Sequence, residues 1–271
     1  MHMKLLCCLI PVLLLFCSAC TARPSQPAET QTLTILAAVS LNEAFTELAD
    51  VFRTGHPGVE MSFNFSGSQQ LAQQLTNGAP ADVFASANQR QMDVVVEEGR
   101  IRSGDVAVFA QNRLVIISPN ENPGEIEELK DLARPGLKLI LAAQEVPVGQ
   151  YSLNFLEKAA ADPSYGESFR AAVLENVVSY EDNVRAVLTK VSLGEADAGI
   201  VYTSDVTGRA AGHVTRLDIP DAFNISAAYP IAVVEDSANA ALAQEFVSLV
   251  LSPQGQQVLA KYGFIPVNET Q

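Results

Sequence analysis

The feature that most limits what this chain can fold into is an alternation, from Thr32 onward, of short apolar runs with stretches of helical periodicity. "LTILAAV" (33–39), "VEMSFNF" (59–65), "ADVFASA" (81–87), "NRLVIISP" (112–119), "LKLILAA" (137–143), "VLENVVSY" (173–180), "ADAGIVYTSDV" (196–206) and "AAYPIAVV" (227–234) read as strands. Between them apolar residues recur at helical spacing, as in Leu41, Ala44, Phe45, Leu48 and Phe52, or in Val184, Val187, Leu188 and Val191. Further helices are predicted in 66–78, 89–99, 125–133 and 146–161, and in the closing stretch 238–263. Strands that alternate with helices predict mostly parallel sheets covered on both faces. The strands fall into two groups, and the chain returns to the first near Tyr229. The expected architecture is α/β, with two lobes and a cleft between them.

The first thirty or so residues follow other rules. Met1–Lys4 carries one positive charge, Leu5–Phe16 is almost wholly apolar, and Cys17-Ser18-Ala19-Cys20 follows. The apolar run is shorter than the ~20 residues that span a bilayer and fits the core of a secretory signal. Small residues before a cysteine resemble a bacterial lipobox, with Cys17 where a leucine is usual. The expectation is a signal peptide over 1–19, lipidation at Cys20 and a Pro-containing tether over 20–31, with ordinary signal cleavage as the alternative. Of the four cysteines, Cys7, Cys8 and Cys17 fall in the signal, so an exported domain has no internal disulfide and depends on its core.

The net charge of −14 excludes a basic nucleic-acid face. Enzymatic hardware is sparse. His56 lies in a His-Pro-Gly turn and His213 beside glycines, and no nucleophile elbow, phosphate loop or Cys/His metal spacing occurs. What recurs is a small or flexible segment entering a helix, at Ser40, at Ser66-Gly67-Ser68, at Val146–Gly149 and at Asp182-Asn183-Val184. The first turn of a helix leaves N–H groups without intrahelical acceptors, and these, with the helix dipole, can hold an anion. Each position also has a purely architectural reading. Ser40-Leu41-Asn42-Glu43 fits a capping box, Ser68 can cap its own helix, Val148 and Val184 can be ordinary first-turn residues, and Tyr202 can be core. Spacing alone supports a two-lobe binding protein suited to an anion, since ligands of open α/β sheets sit beyond the carboxyl ends of strands.

The strings "LTILAAVSLNEAF", "GAPADVFASA", "NRLVIISP", "VPVGQY", "EDNVRAVL", "GEADAGIVYTSD" and "YPIAVV…FVSLVLSPQGQQVLAKYGF", in this order, resemble the molybdate-binding proteins of bacterial molybdate ABC transporters over roughly residues 32–266. The resemblance implies a type II periplasmic-binding-protein fold, with lobe I formed by 32–112 and 229–271 and lobe II by 113–228. It implies a neutral cage of donors: hydroxyls from Ser40 and Ser68, backbone N–H groups from Val148 and Val184, and the phenol of Tyr202. The metal would be held only as its oxyanion, molybdate or tungstate, with sulfate too small to reach all donors. Ser68 is preferred to Ser66 by its position relative to "LAQQ", Val39 replaces a frequent alanine, and Asp182 is expected to cap its helix and point away. The implied partners are a membrane permease and, through Cys20, the membrane; the protein is expected to be an exported monomer without a cofactor and without a reaction of its own. The alternatives are the same fold tuned to tungstate or another oxyanion, an enzyme on a two-lobe scaffold, and an adhesive surface lipoprotein.

Overall fold

The structure, a computed structural model, describes residues 31–207 and 210–267. The signal, the tether and Cys20 lie outside the described residues. Among the described residues no helix is long and apolar enough to cross a membrane.

The chain runs β1 (Gln31–Ala38), α1 (Asn42–Gly55), β2 (Val59–Ser66), α2 (Ser68–Thr76), β3 (Val83–Ala85), α3 (Gln89–Glu97) and β4 (Ala107–Pro119). It continues with β5 (Leu139–Ala142), α4 (Pro147–Ala160), α5 (Phe169–Glu175), β6 (Val177–Glu181), α6 (Val184–Ser192), β7 (Ala198–Tyr202) and β8 (Val214–Asp218). It closes with β9 (Ser226–Val233), α7 (Ala240–Leu251), α8 (Pro253–Lys261) and β10 (Ile265–Pro266). The strands form a curled sheet in the order β2-β1-β3-β9-β4-β7-β5-β6, with β8 and β10 also on β4.

The sheet has two halves that share one strand. β1 pairs in parallel with β2 and β3, and β5 pairs in parallel with β6 and β7. The long strand β4 joins them. Up to Arg113 it lies antiparallel to β9, and from Leu114 to Ile117 antiparallel to β7. This makes two α/β lobes linked through β4 and the return strand β9. The ends of the central strands β1 and β3 are covered on both faces and read as continuous apolar runs, whereas the edge strand β2 alternates apolar and polar residues. Ile35 and Val83 face α1, whereas Leu36 and Phe84 join Leu71, Met92 and Val95 of α2 and α3. The apolar faces predicted on α1 and α6 are buried. Phe45 of α1 packs against Phe109 and Phe246 with ring centroids 5.8 and 5.7 Å apart.

Several local expectations change. The predicted strand 173–180 is the end of α5 followed by β6, because Val173 and Phe169 are the buried positions of a helical turn and pairing with β5 begins only at Val177. The predicted helix 125–133 shrinks to a 3-10 turn over Leu129–Ala133; Glu125 takes a positive φ of 47°, which no α-helix accommodates. β4 starts at Ala107 rather than Asn112, and β8 had no periodic signal because its burial is slight. Ser40 does not cap α1. It lies inside a 3-10 turn over Val39–Leu41, whereas a capping residue needs an extended backbone before the helix. Asp182 is not the cap of α6 either; Asn183 is extended and accepts the N–H of Ala186.

Candidate functional site: a donor-lined cavity between the lobes

The cavity of interest is small, about 10 Å³, and lies where the starts of α2, α4 and α6 converge with the 3-10 turn after β1. Ser40, Ser68, Val148, Val184 and Tyr202 all line it, with Ser66, Gly67 and Pro147. The structure thus brings together on one surface the five residues singled out from the sequence.

Each wall has a local cause. β1 ends at Ala38 and turns at once, so Ser40 sits at the carboxyl end of a central strand, 4% exposed. Its Oγ lies 3.0 Å from the Tyr229 hydroxyl. β2 ends at Ser66; Gly67 takes the extended conformation before α2, and Ser68 is the first helical residue. Ser68 does not cap α2, because its Oγ accepts the N–H of Ala87 at 3.0 Å instead. That leaves its proton to donate. The Ser66 hydroxyl, by contrast, is already spent on the Gln70 side-chain oxygen.

On the opposite wall α4 begins at Pro147, whose fixed φ and missing N–H suit a first helical position. Val148 and Gly149 follow in the first turn, where N–H groups have no intrahelical acceptor. A glycine is needed at 149 because a Cβ there would stand 2.0 Å from the Ala143 carbonyl and 2.5 Å from that of Ala142. The helix start is therefore pressed against the end of β5. Val184 opens α6 directly after the Asn183 cap.

Tyr202 ends β7 and is 1% exposed. Its hydroxyl makes no well-formed hydrogen bond among the described residues, although the Tyr229 hydroxyl lies close enough to raise its pKa. An unpaired buried hydroxyl costs about 1–3 kcal/mol, so a native fold that keeps one has a use for it. Burial, with the neighbouring Tyr229, Tyr151 and Asp205, pushes the Tyr202 phenol well above its usual value, so it remains a donor. Asp205, 2% exposed, accepts the Tyr202 N–H at 3.0 Å and fixes the strand end. Burial raises the Asp205 carboxyl to about 7, against the lowering influence of Arg185.

Contacts between the lobes narrow the cavity. Gln69 Nε2 donates to the Asp182 carbonyl at 2.7 Å, Gln70 Nε2 to the Asp182 carboxylate at 3.2 Å, and Asn88 Nδ2 to Gln150 Oε1 at 3.3 Å. Arg185 pairs with Glu43 at 2.8 Å. That last pair lies in a larger open groove of about 550 Å³ beside Asp205 and Tyr262. The groove carries charges of both signs, whereas no charged side chain lines the smaller cavity. Among the described residues no group of His, Cys, Asp and Glu is placed to hold a metal ion directly.

Sequence reasoning missed Asn112 and Tyr229, which stand behind Ser40. A signal was there for Asn112: it is a lone amide on the buried phase of β4, between Ala110 and Leu114.

A lobed sheet whose connecting strands pass beneath a small, uncharged, donor-rich cavity defines a solute-binding protein of the type II periplasmic class. Residues 33–265 match the family of bacterial extracellular solute-binding proteins, and the chain belongs to that family. The molybdate-binding protein ModA of Mycobacterium tuberculosis is 40% identical over 243 residues, which cover 90% of this chain and 87% of that protein. Two solved structures share the fold. The periplasmic molybdate-binding protein of Azotobacter vinelandii aligns with a TM-score of 0.73 at 21% identity over 86% of this chain and 98% of that one. The sulfate-binding protein SubI of Mycobacterium tuberculosis aligns with a TM-score of 0.78 at 22% identity over 88% of each chain.

Proposed function

We propose that this protein is the extracytoplasmic receptor that captures molybdate, and tungstate with it, and delivers the anion to an ABC permease. The observation that carries this reading is the buried Tyr202 hydroxyl, without a well-formed hydrogen bond within the protein, on a cavity walled otherwise by serine hydroxyls and helix starts. The 40% identity to a molybdate-binding protein supports the choice of oxyanion.

A tetrahedral dianion offers only acceptors, and this cavity offers donors. Ser40, Ser68 and Tyr202 give hydroxyl protons; Val148 and Val184 give backbone N–H groups, their side chains excluding water. Hydrogen bonds to a charged partner contribute ~1.5–3 kcal/mol each, enough in combination to offset desolvation of the anion. Ser68 rather than Ser66 is the donor, since the Ser66 proton is engaged with Gln70. The change of partner along β4 between Arg113 and Leu114 supports a division into lobe I (32–112 and 229–271) and lobe II (113–228), which open and close about β4 and β9. The receptor acts as a monomer without a resident cofactor or a reaction of its own, tethered through Cys20.

The test is titration calorimetry of the anion-free protein with molybdate, tungstate and sulfate in turn. One-to-one binding of the first two, with sulfate at least about 100-fold weaker, is the expected result. Silence toward all three, or a preference for sulfate, overturns the assignment. Mass spectrometry of the exported protein checks the anchor: an unmodified mature N-terminus would remove it.

A further inference from the structure

We infer that Asn112 and Tyr229 are positioning residues that fix the direction of the Ser40 hydroxyl proton, so that Ser40 faces the cavity only as a donor. The inference rests on the oxyanion reading above.

The chain of bonds starts at Asn112, which is fully buried on β4 where that strand passes from one lobe to the other. Its Oδ1 accepts the backbone N–H of Arg113 at 2.9 Å and the hydroxyl of Thr203 at 2.9 Å. A backbone N–H can only donate, so the amide has one orientation and its Nδ2 must face the other way. There it donates to Ser204 Oγ at 2.7 Å and, at 3.4 Å, to the Tyr229 hydroxyl oxygen. An amide nitrogen cannot accept. The Tyr229 hydroxyl lies 3.0 Å from Ser40 Oγ, a bond in which either oxygen could donate, and with Asn112 already donating to the phenol oxygen the Tyr229 proton is assigned to Ser40. With that assignment Ser40 is the acceptor, and no second hydrogen bond engages its hydroxyl among the described residues. The open direction is the cavity that Ser40 lines.

The surroundings hold the relay in place. The Tyr229 ring is fully buried and meets Phe109, Tyr202 and Phe264 edge-on, with centroids 6.2, 5.8 and 5.3 Å away. Burial also keeps its phenol protonated. Thr203 and Ser204 come from the segment just after Tyr202, so the same amide ties the hinge strand to both walls of the cavity. Linked hydrogen bonds pointing one way polarise one another, so the Ser40 proton is a stronger donor than that of an isolated serine.

The consequence is selectivity by protonation state. An oxyanion with four bare oxygens is satisfied by Ser40. One that carries a proton at neutral pH, such as hydrogen phosphate, presents a donor to a donor.

The test is a double-mutant cycle read by calorimetry. Tyr229→Phe keeps the ring packing and removes only the hydroxyl. It is expected to weaken molybdate binding about tenfold in the parent protein and less than about twofold in a Ser40→Ala background, because it acts through Ser40. An equal loss in both backgrounds, or no loss in the parent, overturns the relay. Asn112→Asp gives a second reading. The carboxylate keeps the acceptors for Arg113 and Thr203 but takes the Tyr229 proton, which turns Ser40 into an acceptor at the cavity. The ratio of molybdate to phosphate affinity should fall by more than about tenfold; an unchanged ratio in a folded variant counts against the mechanism. If the parent protein binds no oxyanion at all, the receptor assignment fails and the relay with it, whereas binding by the parent with additive losses removes the relay alone.

Discussion

The two walls of the cavity solve the same problem with different parts. Lobe I presents side-chain hydroxyls: Ser68, whose Oγ accepts the Ala87 N–H, and Ser40, paired with the Tyr229 hydroxyl. Lobe II presents the starts of α4 and α6, where valines stand and the backbone is the donor, together with the one phenol of Tyr202. A serine donor is placed by a rotamer and a hydrogen bond. A backbone donor is placed by a whole helix and by whatever presses that helix into position. The first kind is exposed to single substitutions at the site, the second to substitutions behind it.

That contrast can be broken most sharply at Gly149. A methyl group there collides with the carbonyls of Ala142 and Ala143, which are backbone and cannot move aside. Gly149→Ala should push α4 off the end of β5, abolish molybdate binding in calorimetry and cost more than about 3 kcal/mol in denaturant unfolding. Normal affinity in this variant would show that the start of α4 is not a donor.

Next in size is a pH effect behind Tyr202. The Asp205 carboxyl is raised to about 7 in the folded protein by burial, above its unfolded value of 3.8. The folded state then holds more protons than the unfolded state between these two values, so stability falls as pH rises from about 4 to about 7 and is flat above. Asp205→Asn should remove this slope, with a difference at pH 8 on the order of 4 kcal/mol at most. Thermal melts of both proteins across that range check it; parallel curves would refute the assigned burial.

The hydroxyls come third. Ser68→Ala, Ser40→Ala and Tyr202→Phe should each weaken molybdate by roughly 10- to 150-fold, the equivalent of ~1.5–3 kcal/mol. Each should disturb the fold less than it disturbs binding. Tyr202→Phe should leave the melting temperature of the anion-free protein unchanged or higher, since it removes a buried hydroxyl without a well-formed hydrogen bond within the protein.

The smallest effect belongs to the valines. Val184→Ala and Val148→Ala trim buried side chains and should cost ~0.5–2.5 kcal/mol of stability, yet change molybdate affinity less than about threefold. A hundredfold loss from either would mean that the valine side chain, not its N–H, decides the site, and the two walls would no longer differ in kind.

Much of this was legible beforehand because periodicity is local. The strand–helix alternation, the buried faces of α1 and α6, and the breaks at helix starts are written in neighbouring residues, and the lining residues Ser40, Ser68, Val148, Val184 and Tyr202 stand at such breaks. Where the reading failed, the deciding contact was distant or the geometry subtle. Ser-x-x-Glu at Ser40 has the composition of a capping box, but the 3-10 turn between β1 and α1 carries the hydroxyl past the cap position to Tyr229. The string 173–180 has enough valine for a strand, but its first half packs as helix α5 and only its second half finds a partner in β5.

The amino-acid sequence by itself determined most of the elements and the helix starts that line the cavity, because each depends on residues a few places apart. Only the tertiary structure decided which hydroxyl protons are free. Asn112 and Tyr229 lie 117 residues apart and meet through the antiparallel register of β4 with β9. Ser40 and Tyr229 lie 189 residues apart and meet because β1 and β9 flank the same strand, β3. A hydroxyl can donate or accept, and which it does is set by its neighbours in space; that choice is made where the strands of the two lobes come together.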